Sequence, residues 1–213
     1  MGASPQKIIS RFRPQLMPKL DALVRAAIVA DAHVHFTFDW PTDNVPLDLR
    51  DGAGDTVLVM REDIDDSSRP ELRFARLNFD PVRIARQLLE LTIDARDYVD
   101  RDRAGGYIDA LEQLARARHA VIVYLQRVRM PTIAGSQYEG GVLAGVGLLV
   151  DLDEMRFRGG FEFGAGSSWE VRAKDATIER VLADDLSRHF YDALLTKLAQ
   201  RFPDAKLPVT LGY

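Results

Sequence analysis

The sequence predicts an α+β fold: an antiparallel sheet of about five or six strands with a C-terminal three-strand meander, packed by two long helices and by short N-terminal helices. Two observations predict it. Apolar residues recur at helical spacing after Asp80-Pro81 and again after Asp175, and three strand-like runs follow one another between Ala120 and Phe163 with only loops between them.

From the N-terminus, Ile8, Ile9, Phe12, Leu16, Leu20, Leu23, Val24 and Ala27 fall at helical spacing. Pro14 and Pro18 interrupt the pattern, because each lacks an amide hydrogen and crowds the preceding turn. Two short helices are therefore expected within residues 1–27, the second starting near Pro18. Ile28, Ala30, Ala32, Val34, Phe36, Phe38 and Trp40 then alternate with Val29, Asp31, His33, His35, Thr37 and Asp39, which predicts a strand. Residues 41–54 read as a loop, and 56–60 and 72–79 as strands separated by an acidic turn over 62–68.

Asp80-Pro81 is a helix start, a capping carboxylate followed by proline. Ala85, Leu88, Leu91, Ala95, Tyr98 and Val99 share one face of that helix, and Gly105-Gly106 is expected to break or bend it. Ala120–Leu125 is continuously apolar, as suits a strand covered on both faces, after which Val128 and Met130 oppose Arg127 and Arg129. A flexible connection over 131–141 leads to the strand 142–150, thinned by Gly145 and Gly147, and a tight turn follows. Phe157, Phe161 and Phe163 are expected on one face of the third strand, opposed by Arg156, Arg158 and Glu162. The last helix, from Asp175, carries Leu182, Leu186, Phe190, Leu194 and Leu198, and residues 203–213 read as an extended tail. Both long helices are expected on one side of the sheet, with the N-terminal helices flanking an edge. No repeat or composition break divides the chain, so 1–213 reads as one domain.

Composition narrows the function classes. The 213 residues are 46% hydrophobic and 28% charged, which is globular rather than disordered. A net charge of −4 gives no field that would draw the chain to nucleic acid. Of the basic residues only Lys7, Lys19, Lys174, Lys197 and Lys206 are lysine, and this arginine bias reads as a GC-rich, bacterial coding genome. The absence of cysteine excludes disulfides, thiolate catalysis and Cys-based metal sites. No apolar run approaches the ~18 to 20 residues of a membrane span. The N-terminus has no signal pattern, so the cytoplasm is the expected compartment, with an exported protein whose leader has been removed as the alternative.

Asp31, His33 and His35 would share a strand face, where two imidazoles and a carboxylate suit zinc. The string Asp31-Ala32-His33-Val34-His35 resembles the opening motif of the amidohydrolase superfamily, whose His-x-His at the end of the first barrel strand binds a catalytic metal. The resemblance covers about five to eight residues and implies a (β/α)₈ barrel and metal-dependent hydrolysis. The element order here lacks a barrel's alternation, and the remaining histidines, His119 and His189, occupy no motif of that family. The plainer reading makes Asp31, His33 and His35 the polar side of a half-buried strand.

Arg127, Arg129, Arg156 and Arg158 form a candidate interaction face if they point one way across neighbouring strands. Asp94, Asp97, Asp100 and Asp102, interleaved with Arg96, Arg101 and Arg103, read as a solvated ion-pairing face. Gly159-Gly160 and Gly164-Ala165-Gly166 lack a phosphate-loop context, and Ser136, Ser167 and Ser168 lack a nucleophile elbow. The leading expectation is a non-catalytic protein that binds another protein or self-associates, with no cofactor. The alternatives are a zinc-dependent hydrolase using Asp31, His33 and His35, with Asp151 as a further carboxylate, and a carrier of a small apolar ligand.

Overall fold

A computed structural model describes residues 5–35, 40, 44–50, 53–64, 82, 85, 86, 101–134, 137–168 and 178–208. In chain order these form α1 (Pro5–Asp31), β1 (Thr56–Met60), the single-turn α2 (Arg61–Ile64), α3 (Arg101–Arg116) and β2 (His119–Arg129). The short strands β3 (Thr132–Ala134) and β4 (Gln137–Glu139), the long strands β5 (Val142–Asp151) and β6 (Arg156–Gly166), and α4 (Ile178–Arg201) complete the described elements. The expected strand over 72–79, the segment at 169–171 and the tail beyond 208 lie outside the described residues. So does most of the helix from Pro81, of which residues 82, 85 and 86 are helical.

The fold is mixed α+β with a mainly antiparallel sheet of four strands, ordered β1-β2-β5-β6, and a separate two-stranded β3-β4 sheet. Four sheet strands are therefore described where about five or six were expected. β5 pairs antiparallel with both β2 and β6, whereas β1 joins β2 in parallel, from Thr56 opposite His119 to Met60 opposite Val123. A parallel neighbour needs a long crossover, and α3 lies on the connection that supplies it.

The N-terminal region differs most from expectation. One 27-residue helix replaces the two short ones, with Pro14 and Pro18 inside it. The prolines lie one turn apart and both are exposed, so water can replace the amide partners they remove. The same helix overruns the expected strand: it continues to Asp31, and residues 32–35 form a turn. Burial explains why. Phe12, Leu16, Leu23, Ala26, Ala27 and Ala30 are each no more than 2% exposed and fall on one helical face, so ending the helix at Ala27 would strip Ala30 from the core. Gly105 and Gly106, expected to break or bend a helix, lie within α3.

The sheet is covered on both sides, not one. Ala120, Ile122, Val146, Leu148, Val150 and Phe157 pack with α1 and α3. Val121, Val123, Leu149, Phe161 and Phe163 pack on the opposite face with Leu186, Phe190, Leu194 and Leu198 of α4. Leu47, Leu49 and Phe202 join this second core, tied by Leu49 N–H to the Lys206 carbonyl (2.8 Å) and Lys206 N–H to the Leu47 carbonyl (2.8 Å). A continuously apolar strand such as β2 fits this arrangement, because its first half is buried with Ala120 and Ile122 in one core and Val121 and Val123 in the other.

Two bulges set which side chains face which helix. In β2 the register steps from Leu125 opposite Gly145 to Arg127 opposite Ala144, so Gln126 is the extra residue. Val128 thereby joins Leu125 on the α4 side. In β6 the register steps from Gly159 opposite Leu149 to Phe157 opposite Val150, leaving Arg158 extra. Gly159 adopts φ 149°, a value L side chains rarely take. The expected Phe157, Phe161, Phe163 stripe is split by this step, with Phe157 under α1 and the other two under α4.

Candidate functional site

With α1 ending at Asp31, the strand that would have aligned Asp31, His33 and His35 does not form, and each has a different environment. Asp31 takes a two-pronged bond from Arg61, Nε to Oδ1 at 3.0 Å and Nη2 to Oδ2 at 2.9 Å, and a third from the Tyr124 hydroxyl at 2.7 Å. Burial first, and then the Asp31 carboxylate, push the Tyr124 hydroxyl well above its usual range, so it stays a donor. A carboxylate at a helix C-terminus opposes the helix dipole, and the Arg61 guanidinium offsets that. Asp31 is thus a clamp joining α1 to the start of α2 and the middle of β2.

His33 stacks on Phe157, with ring centroids 4.2 Å apart, and its Nδ1 lies 2.9 Å from the Val29 carbonyl. Its own carbonyl accepts from Trp40 Nε1 at 3.3 Å. His35 is exposed. Among the described residues no group of three or more His, Cys, Asp or Glu side chains could hold a metal ion. Asp31, His33 and His35, the candidate zinc ligands, are not brought together as such a group.

The four arginines fall at opposite ends of the sheet. Arg127 and Arg129 pair with the start of β5, while Arg156 and Arg158 lie at the start of β6, beside the end of β5. Arg127, Arg129 and Arg156 are exposed; Arg158 is half-buried, its Nη2 bonding Asp151 at 3.0 Å and Glu154 at 2.6 Å. Of the acidic series, Asp94, Asp97 and Asp100 lie outside the described residues.

The sequence reading missed two polar groupings. The first centres on Asp151, 8% exposed, whose Oδ1 accepts the amides of Asp153 (3.0 Å) and Glu154 (2.9 Å) and so shapes the β5–β6 turn. Burial pushes its carboxyl up, but those amides and Arg158 outweigh it and hold it below the usual range. His119, also 8% exposed, places Nε2 3.8 Å from Asp151 Oδ2, and its buried Nδ1 has no hydrogen-bond partner among the described residues. Burial lowers the proton affinity of His119 more than Asp151 and Asp55 raise it, with Arg118 and Arg158 adding to the lowering.

This arrangement predicts a pH dependence with a definite sign. Above pH 6.5 the imidazole is neutral in the folded and unfolded chain alike and contributes no slope. As pH falls below 6.5 the unfolded chain takes up a proton that the fold resists, so stability drops until the folded-state pKa is reached. Denaturant titrations should show this acid-side loss in the wild type and its absence in His119→Gln. A wild type whose stability is flat over that range would contradict the burial argument.

The second grouping joins the loop after β6 to α4. Asp185 Oδ2 accepts the Ser168 amide (2.7 Å), Oδ1 accepts the Ser168 hydroxyl (2.8 Å), and His189 Nε2 lies 3.0 Å from that hydroxyl oxygen. Beside it the Tyr138 hydroxyl bonds Ser167 Oγ at 2.8 Å. Serine, histidine and aspartate here do not form a relay. The carboxylate takes the serine's only hydroxyl proton, which leaves the imidazole as donor to Oγ rather than base. The set works as a latch, and the one sequence signal for it is the i, i+4 spacing of Asp185 and His189 on α4.

The remaining unusual surface is the outside of α1. Met17, Val24 and Ile28 are 43%, 42% and 66% exposed. Helical geometry places all three opposite the face formed by Phe12, Leu23, Ala26 and Ala30. No described helix is long and apolar enough to cross a membrane. Comparison with protein-family models finds no match, and comparisons with curated proteins and with solved structures find none either.

Proposed function

We propose that the protein acts without catalysis, by docking another protein or a second copy of itself on the outer face of α1. The observation that supports this is the stripe Met17, Val24 and Ile28, three large apolar side chains turned away from the core at spacings that keep them in line. The polar groupings elsewhere support it indirectly. Asp31, Asp151 and Asp185 are each engaged by donors that hold helices, strands and turns together, which is structural work.

Val24→Glu combined with Ile28→Glu tests the proposal. A docking face contributes little to the fold, so unfolding free energy should stay within about 0.5 kcal/mol of wild type. Binding of an apolar-surface dye such as bis-ANS to the folded protein should fall. A loss of about 2 kcal/mol or more, typical of core truncation, would mean that the stripe packs inside the fold and would dispose of the docking reading.

A further inference from the structure

We infer that the occupant of this face is the same face of a second copy, lying antiparallel across a two-fold axis between Ala22 and Leu23. The inference rests on the docking reading above and gives it a partner. Met17, Asp21, Val24 and Ile28 follow one another at spacings of four, three and four residues, the seam spacing of paired helices. With the axis between residues 22 and 23, Met17 of one helix lies level with Ile28 of the other. Asp21 lies level with Val24, one residue from the facing Arg25. Apolar ends thus meet apolar ends, and the seam's one acidic residue comes within reach of the partner's guanidinium.

Charge selects the orientation. Asp21 and Arg25 are exposed, and neither makes an ion pair or hydrogen bond among the described residues, although they stand one turn apart. An antiparallel pairing brings Asp21 against Arg25 twice, once on each side of the axis. A parallel pairing in register would set Asp21 beside Asp21 and Arg25 beside Arg25, which repel. The face is therefore self-complementary in one direction only, as a two-fold interface requires. The 27-residue helix is about 40 Å long at 1.5 Å per residue, longer than the seam needs.

Sedimentation equilibrium of the full chain tests the pairing. The wild type should reach twice the monomer mass at the upper end of a micromolar to sub-millimolar series. Asp21→Arg and Arg25→Asp should each weaken dimerisation at least about tenfold, since each sets like charges against one another at two places. Mixed in equal amounts, the two variants should dimerise again, because one chain then carries arginine at both positions and the other aspartate at both. A wild type that stays monomeric throughout, or variants that fail to recover on mixing, would overturn the self-pairing. The stability of Val24→Glu with Ile28→Glu separates the two levels: unchanged stability beside a monomeric wild type removes the second copy and keeps the docking face, whereas destabilisation removes both.

Discussion

Gly145→Ala is expected to cost about 3 kcal/mol of unfolding free energy, while Gly164→Ala, in the adjoining strand, is nearly neutral. A Cβ at position 145 would overlap the Tyr124 carbonyl oxygen, lie 2.9 Å from that carbonyl's carbon and 3.1 Å from Phe163 Cζ. The first two atoms are backbone of the neighbouring central strand, immediately before the bulge at Gln126, and cannot rotate aside. Relief would require β2 and β5 to separate where both are covered by helices. At Gly164 the same methyl would meet Ala144 Cβ at 3.9 Å and the Leu143 carbonyl at 4.0 Å, ordinary contacts. Gly147→Ala should fall between, since its clash is with the Phe161 ring, which is a side chain. Urea titration of the three variants gives the order directly. A Gly145→Ala variant as stable as Gly164→Ala would refute the close approach of β2 and β5.

Asp151→Ala should be comparably damaging, at about 3 kcal/mol, the loss typical when one partner of a buried ion pair is removed. The alanine leaves the Asp153 and Glu154 amides without their acceptor and Arg158, whose side chain is 17% exposed, without its nearest buried carboxylate. Met155, in the same turn, sits at φ 51°, a conformation non-glycine residues avoid, so the turn is strained where those amides lose their acceptor. Asp151→Asn should cost less, because its amide oxygen can still accept from the turn while the charge opposite Arg158 is gone. Their pH dependence separates the two contributions. The Asp151 carboxyl is held below 3.8, so its stabilisation is full above that pH and is lost as pH falls through the folded-state value. The gap between wild type and Asp151→Asn should therefore close only below pH 3.8. A gap constant down to strong acid would mean that the charge on Asp151 is not what the turn and Arg158 use.

Much of the sheet was legible because its signals are local. Thr56–Met60, Ala120–Leu125 and Val142–Val150 are apolar runs long enough for strands and too short for helices, and each is a strand. The N-terminal error was one of competing periods. From Ile28 to Trp40 the residues alternate, but Ala26, Ala27 and Ala30 also continue the helical face begun at Phe12, and small side chains satisfy either pattern. What chose between them was the covering layer: α1 lies across strands far away in sequence, which no local window contains. The helix prolines misled for the same reason, since their cost depends on whether the vacated carbonyls face water.

The candidate site was less legible still. Asp31, His33 and His35 drew attention through residue type, yet Arg61 and Tyr124, which decide what Asp31 does, lie 30 and 93 residues away. The placement of both arginine pairs depended on bulges and strand order, and neither leaves a mark in composition. The apolar outer stripe of α1 was visible in the sequence only as extra hydrophobic residues on a helix. Which face they occupy became clear once Leu16, Leu23 and Ala30 were seen buried opposite.

The bulges at Gln126 and Arg158 bear on how such a chain tolerates changes of length. In most proteins a single-residue deletion is absorbed where it falls in a surface turn. Here removal of either residue, though each lies inside a strand, would leave an unbroken ladder, because the pairs on both sides of the step are already in register. Over β6, Phe157 would stay opposite Val150 on the α1 side, where its ring stacks on His33. These two positions can therefore be omitted without handing side chains from one helical layer to the other, and what deletion of Arg158 removes is its bonding to Asp151 and Glu154.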